Sequence, residues 1–205
     1  MEQKEINKLT ENKNQTNDID IEINKIEKEA KSILGDKQFQ SGNNKRRWCE
    51  LNHKILELLD LFDNVSTEKQ KLYVKLWKEL NKINTEKSEM QNIINGLLAE
   101  KAVKTVLQKK ITKIEHSTVD EDLEDIDLIY RGGHGKELMF GVQLTKGGSG
   151  QEYVNVNLMS GGTKLAIEIV YNGNGVETFF NKITGEPTKK LENSLLREIN
   201  KMKLN

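Results

Sequence analysis

The sequence predicts an α+β protein with a small central sheet, flanking helices and an N-terminal α-helical extension. Three observations predict it. Apolar residues recur at helical spacing through most of the first half of the chain, from residue 19. Short alternating or apolar runs separated by glycine-rich turns fill most of the second half. A last amphipathic stretch follows Pro187, and helices, strands and a final helix in this order are typical of a mixed core.

Composition excludes several classes of protein. The 205 residues include 32 basic and 32 acidic side chains, so the chain lacks the global basicity of many nucleic-acid binders, although a local basic patch stays open. A single cysteine, Cys49, excludes an intramolecular disulfide and argues against a thiolate zinc site. No apolar run reaches membrane-spanning length and the first residues do not resemble a signal peptide, so we expect a cytoplasmic protein with no membrane partner.

The N-terminal part is predicted to be a helical arm. Residues 1–18 are polar without an apolar period, and we expect them to be disordered. Residues 19–87 then carry three apolar stripes: Ile19, Ile23, Ile26, Ala30 and Ile33; Leu51, Ile55, Leu58, Leu59 and Phe62; and Leu72, Leu76, Leu80 and Ile83. Charged amphipathic helices in succession predict a bundle or antiparallel coiled coil, and we expect self-association or a protein partner because these stripes exceed what a small sheet can cover.

The arm also contains a basic triplet that bears on function and a residue pair that predicts where the third helix begins. Residues 36–47 are predicted to form a loop, and its Lys45, Arg46 and Arg47 either contact phosphate or form a solvated turn. Thr67 with Gln70 predicts a capping box for the third helix.

Residues 88–205 are predicted to form the α/β core. Ser88 with Gln91 predicts a capping box that opens a helix to about Lys109. Predicted strands or extended segments follow at 111–115, 126–130, 140–144, 153–156, 165–171 and 176–180, with an acidic loop at 120–124 and glycine loops between the later strands. A final helix carries Leu191, Leu195, Ile199 and Met202.

The strands at 126–130 and 140–144 are predicted to form a β-hairpin around Gly132, Gly133 and Gly135. Strict alternation places Asp127 on one face of the first strand. In the second strand Gln143 and Thr145 share one face, opposite Val142 and Leu144. We therefore expect Asp127 and Gln143 to lie side by side, close to Thr145 and Lys146.

These residues resemble the PD-(D/E)XK nuclease superfamily, in the variant with Gln in place of the second acid. The matching residues are Ile126-Asp127 and Val142-Gln143, and Glu100 fits the acid that the family carries on a preceding helix. The resemblance covers about residues 96–170. It implies a restriction-endonuclease-like sheet and hydrolysis of DNA phosphodiester bonds with Mg²⁺ (or Mn²⁺), held by Glu100, Asp127 and Gln143. The alternative for Glu100 is a salt bridge with Lys104 four residues on.

One departure leaves two functions open. The family lysine stands two residues after Gln143, where this chain has Thr145, and Lys146 follows one later. On a regular strand Lys146 shares the face of Leu144, whereas a β-bulge at Gly147-Gly148 would turn it toward Asp127. With the bulge, the resemblance implies an endonuclease with Asp127, Gln143 and Lys146 as catalytic residues and Thr145 at the substrate. Lys45, Arg46 and Arg47 lie outside the region of resemblance, and we expect them at the substrate from their charge alone. Without the bulge, the chain is a catalytically impaired nuclease-like scaffold that binds nucleic acid or protein.

Overall fold

The structure, a computed structural model, describes residues 19–33, 43–64, 69–83, 87–132, 137–148, 150–159, 164–173 and 175–202. It confirms the predicted α+β class. The chain divides into two compact units, Met1–Lys87 and Ser88–Asn205. The segment 1–18, predicted to be disordered, lies outside the described residues, as does Thr67 of one predicted capping box.

The first unit is helical. Helix α1 covers residues 19–33, α2 covers Asn43–Asn64 and α3 covers Lys69–Asn81. All three predicted apolar stripes are buried, and the Phe62 and Tyr73 rings pack edge to face with centroids 5.2 Å apart. Because this burial is complete within a single chain, the reason for expecting self-association no longer holds, and a partner for these helices stays a prediction.

The prediction of a loop at 36–47 is wrong for residues 43–47, which form the first turns of α2. Lysine and arginine are good helix formers. Cys49 is buried, and it extends the apolar side of α2 upstream of Leu51. The basic triplet therefore lies on a helix.

The second unit contains the sheet. Helix α4 (Lys87–Leu107) leads to β1 (Ile114–His116), the short helix α5 (Val119–Asp122), β2 (Leu128–Arg131), β3 (Glu137–Lys146), β4 (Tyr153–Leu158), β5 (Lys164–Tyr171), a 3₁₀ turn (Val176–Thr178) and α6 (Lys189–Lys201). The strand order is β1-β2-β3-β5-β4, and every neighbouring pair is antiparallel except β3 and β5. The predicted hairpin is confirmed as the antiparallel pairing of β2 with β3.

Three local predictions in this unit are wrong. Ser88 is the second residue of α4, so the helix begins before the predicted cap position. The acidic loop contains α5, because Thr118 and Glu121 form a capping box that satisfies the backbone there. The predicted strand at 176–180 is a 3₁₀ turn, because Val176, Phe179 and Phe180 follow helical spacing and are all buried.

The two faces of the sheet differ. Because paired residues share a face, the register places one apolar set together, which we call the helix face: Leu128, Phe140, Leu165, Ile167 and Ile169. These side chains are fully buried. Helix α4 contacts this face through Glu100, which bonds His116, the register partner of Leu128. Lys109, just after α4, forms a 2.8 Å ion pair with Glu192 of α6. The opposite side, the polar face, carries Gln143, Glu168 and Asn155 as neighbours across three strands.

Candidate functional site

The site lies where β2 and β3 separate. The two strands pair from Leu128–Phe140 to Arg131–Glu137, whereas β3 runs on to Lys146 with β5 as its partner. Asp127 stands just before β2. Its N–H donates to the Phe140 carbonyl at 2.9 Å, while its own carbonyl accepts from the Ser117 N–H at 3.0 Å. Residues of a regular antiparallel pair exchange both bonds with one neighbour, so the backbone at Asp127 is irregular.

This irregularity places the Asp127 carboxylate between the separating strands. Its Oδ2 accepts the Val142 N–H at 2.5 Å. The side chain thereby supplies the acceptor that a backbone carbonyl of β2 would otherwise provide, and the Val142 N–H stays satisfied. Strict alternation therefore does not assign Asp127 to the polar face.

Glu100 on α4 reaches the same region from the helix face. Its Oε1 lies 2.6 Å from Nδ1 of His116, and the two side chains are only 12% and 13% exposed. A carboxylate can only accept, so the bond requires the proton on Nδ1. His116 pairs with Leu128 in the register, which fixes its ring on the helix face. The sequence argument missed His116, because nothing local in the Ile114–Thr118 segment links it to a residue sixteen positions earlier.

Burial, followed by the negative charge of Glu100, raises the pKa of Asp127 to about 7, while the Val142 hydrogen bond acts in the opposite direction. Smaller contributions come from Asp122 and Asp125. Two neighbouring carboxyl groups, held together in partly buried positions, are electrostatically unfavourable, and such arrangements concentrate at functional sites. We call Glu100 and Asp127 the carboxylate pair.

Within the second unit, the structure does not bring Gln143, Thr145 or Lys146 to this pair. Gln143 is exposed, and it lies on the polar face with Thr145, three residues from Phe140 and thus opposite to it. Lys146 lies on the helix face but four residues beyond Val142, about 13 Å along the strand. Of the predicted basic triplet, which belongs to the first unit, Arg46 pairs with Glu50 at 3.3 Å and Arg47 bonds Ser32 at 3.1 Å.

The predicted bulge at Gly147-Gly148 is wrong. Strands β3 and β5 pair residue for residue from Met139–Lys164 to Lys146–Tyr171, and the Gly147 N–H continues the pattern to the Tyr171 carbonyl at 2.8 Å. The strand irregularity occurs instead at Asp127. The irregular backbone therefore redirects the Asp127 side chain, whereas the Lys146 side chain keeps its regular orientation on β3.

The carboxylate pair only partly matches a magnesium site. Mg²⁺ is held by one or two carboxylates together with waters and substrate phosphate, and Glu100 and Asp127 could supply these two. Each already has one oxygen engaged, by His116 and Val142. Within the described residues no three His, Cys, Asp or Glu side chains form a metal-ligating group, and Gln143 lies on the polar face. The full ligand set that the resemblance implies is therefore not assembled.

His116 is expected to contribute to stability through Glu100. His116→Leu removes the Nδ1–H donor and leaves an apolar side chain of similar volume. It should lower the free energy of unfolding by about 2 kcal/mol, the usual value for a hydrogen bond to a charged group. His116→Asn keeps an N–H near the position of Nδ1 and should cost clearly less. Urea unfolding of both variants measures the difference, and equal losses would mean that the bond contributes nothing beyond packing.

Comparison with known proteins finds no family model, curated protein or solved structure that matches this chain. Among the residues that the structure describes, no helix combines the length and apolar character needed to cross a membrane.

Proposed function

We propose that this chain is a nuclease-like scaffold that binds nucleic acid in the cytoplasm without cutting it. The observation that carries the proposal is the regular register of β3 through Lys146. It leaves Thr145 on the polar face and Lys146 about 13 Å along the strand from Val142. No lysine of β3 can then place positive charge beside the Asp127 carboxylate, where the family uses it.

Two features support nucleic acid as the ligand. The first is the resemblance of the Asp127 and Gln143 segments to a nuclease superfamily. The second is the charge of α3 and the residues after it, since residues 69–83 contain five lysines and one glutamate although the whole chain is neutral. Local positive charge of this kind supplies most of the affinity of nonspecific nucleic-acid binders.

The test is to incubate the full chain with plasmid and linear DNA in Mg²⁺ and in Mn²⁺, and to measure binding and cleavage together. We expect retarded migration of DNA and intact strands in both metals. Thr145→Lys supplies the missing charge and is expected to give at most weak cleavage, because its face is not that of Glu100. Cleavage by the wild type that Asp127→Asn removes would overturn the proposal.

A second candidate is a metal-dependent DNA endonuclease of the PD-(D/E)XK type. The carboxylate pair favours it, because Glu100 and Asp127 occur in the family order and interact electrostatically near the point where β2 and β3 separate. In this case Mg²⁺ or Mn²⁺ would supply Lewis-acid chemistry at the phosphate, while Glu100 and Asp127 would hold it and His116 would orient Glu100. The cleavage assay separates the two candidates directly.

A further inference from the structure

The exposed side of α3 and the turn after it carries a row of lysines. Lys71, Lys75, Lys78 and Lys82 follow one another at steps of four, three and four residues, so they share one helix surface. The Cα atoms of Lys71, Lys75 and Lys78 are separated by about 6 and 4.5 Å along the helix axis, and Lys82 follows in the turn after α3. The buried residues of α3 lie on the other side: Leu72, Tyr73, Leu76, Trp77 and Leu80. We call these four lysines the lysine row.

A shallow open cavity of about 540 Å³ runs beside the row. Its lining includes Lys71, Val74, Lys75, Lys78 and the acidic Glu79, whose carboxylate pairs with Lys82. Val74 is 47% exposed, which gives the cavity an apolar floor between the ammonium groups. An elongated anionic ligand with apolar sugar surfaces fits this combination of charge and apolar contact.

Lys75 and Lys82 of the row form exposed ion pairs, and Lys71 also interacts with a neighbour. Lys75 pairs with Asp20 at 2.5 Å and Lys82 pairs with Glu79 at 2.5 Å. Lys78 makes no ion pair with the residues that the structure describes. Exposed pairs of this kind contribute little to stability and are screened by salt. A phosphate can therefore compete for these lysines at small cost.

We propose that the lysine row binds the sugar-phosphate backbone of DNA. The inference rests on the proposed nucleic-acid binding and assigns it to a surface of the first unit. Charge complementarity selects this ligand, because a row of similar cations on one helix side matches a polymer with one negative charge per repeat. The lysine row would contact phosphate groups, so it would not distinguish one DNA base sequence from another.

The test measures the salt dependence of binding to a short fluorescent DNA duplex by anisotropy, between about 0.05 and 0.2 M salt. Each phosphate contact contributes about −0.9 to the slope of log K against log salt. The double variant Lys71→Gln/Lys78→Gln should make the slope about 2 less negative. At 0.1 M salt the same relation predicts a loss of roughly 10-fold in affinity for each lysine.

The matched control is Lys25→Gln/Lys28→Gln on α1, where residues 19–33 carry four acidic and three basic side chains. It removes the same charge and should leave the slope unchanged. Glutamine is a good helix former, so circular dichroism should show both variants folded. If the wild type binds and the lysine-row variant keeps its slope, or both variants lose equally, the row is not the binding surface although the proposed function stands. If the wild type does not bind DNA, both proposals fail.

Discussion

Asp127→Asn is expected to stabilise the protein at pH 8 by as much as about 4 kcal/mol. Burial and the charge of Glu100 raise the pKa of Asp127 from 3.8 to about 7, and a pKa difference of one between the folded and unfolded states is equivalent to about 1.4 kcal/mol of stability. The asparagine carries no charge, so it avoids this cost. Its amide oxygen can still accept the Val142 N–H that Oδ2 accepts now.

The pH dependence follows from the direction in which this pKa is moved. Below about pH 4 Asp127 is protonated in both states and carries no penalty. Between about pH 4 and pH 7 the folded state binds more protons than the unfolded state at this group, so the wild type loses stability as the pH rises. Above about pH 7 the loss is complete. The stability difference between variant and wild type should therefore grow over this window and then level off.

Urea unfolding of both proteins across this pH range measures the difference. The signal should be far-ultraviolet circular dichroism, because both tryptophans, Trp48 and Trp77, lie in the first unit and would report on it alone. Asp125→Asn is the comparison variant: it makes the same chemical change two residues away, at a φ of 60° that asparagine tolerates well. It should give a much smaller pH-dependent difference, because Asp125 makes only a smaller contribution to the pKa of Asp127. A difference that does not vary with pH, or a variant less stable throughout, would show that Asp127 is ionised without cost.

Gly147→Val is expected to destabilise the second unit by about 3 kcal/mol, at the upper end of the usual cost of overpacking. Strand β4, which follows β3 in the chain, pairs with β5 on the side opposite to β3. An added Cβ at Gly147 would lie 2.6 Å from Cγ1 of Val170 and 3.2 Å from the Gln151 carbonyl. Such a contact requires a shift of the loop after β3 or of β5.

Gly148→Val provides the control, because nothing lies within 4 Å of a Cβ at that position. It should change the free energy of unfolding by no more than about 0.5 kcal/mol. Neither glycine has a positive φ, so a difference between the two variants measures packing and not backbone strain. Adding Val170→Ala to the Gly147→Val variant should recover part of the loss. Equal effects at both glycines would contradict the close approach of this loop to β5.

Local periodicity determined most of the fold that the sequence could predict. The stripes at 19–33 and 51–62, the strand at 165–171 and the pairing of the hairpin all follow from which residues are apolar and at what spacing. These signals are strong because the burial of a repeated set of apolar side chains outweighs small differences in the helix or strand propensity of single residues. The predicted strand at 176–180 failed because Val176, Phe179 and Phe180 stand at the i, i+3, i+4 spacing of a helical turn, and all three are buried.

The candidate site was decided by tertiary structure. Sequence order identified Glu100 and Asp127, but alternation placed Asp127 beside Gln143, and the structure places its carboxylate against the Val142 N–H instead. A strand keeps its alternation only while its backbone groups all have regular partners. At Asp127 the N–H and the carbonyl bond to different neighbours, Phe140 and Ser117, which lie far apart in the sequence. The partner of Glu100, His116, is likewise fixed by the packing of α4 on β1, and no local pattern records such a contact.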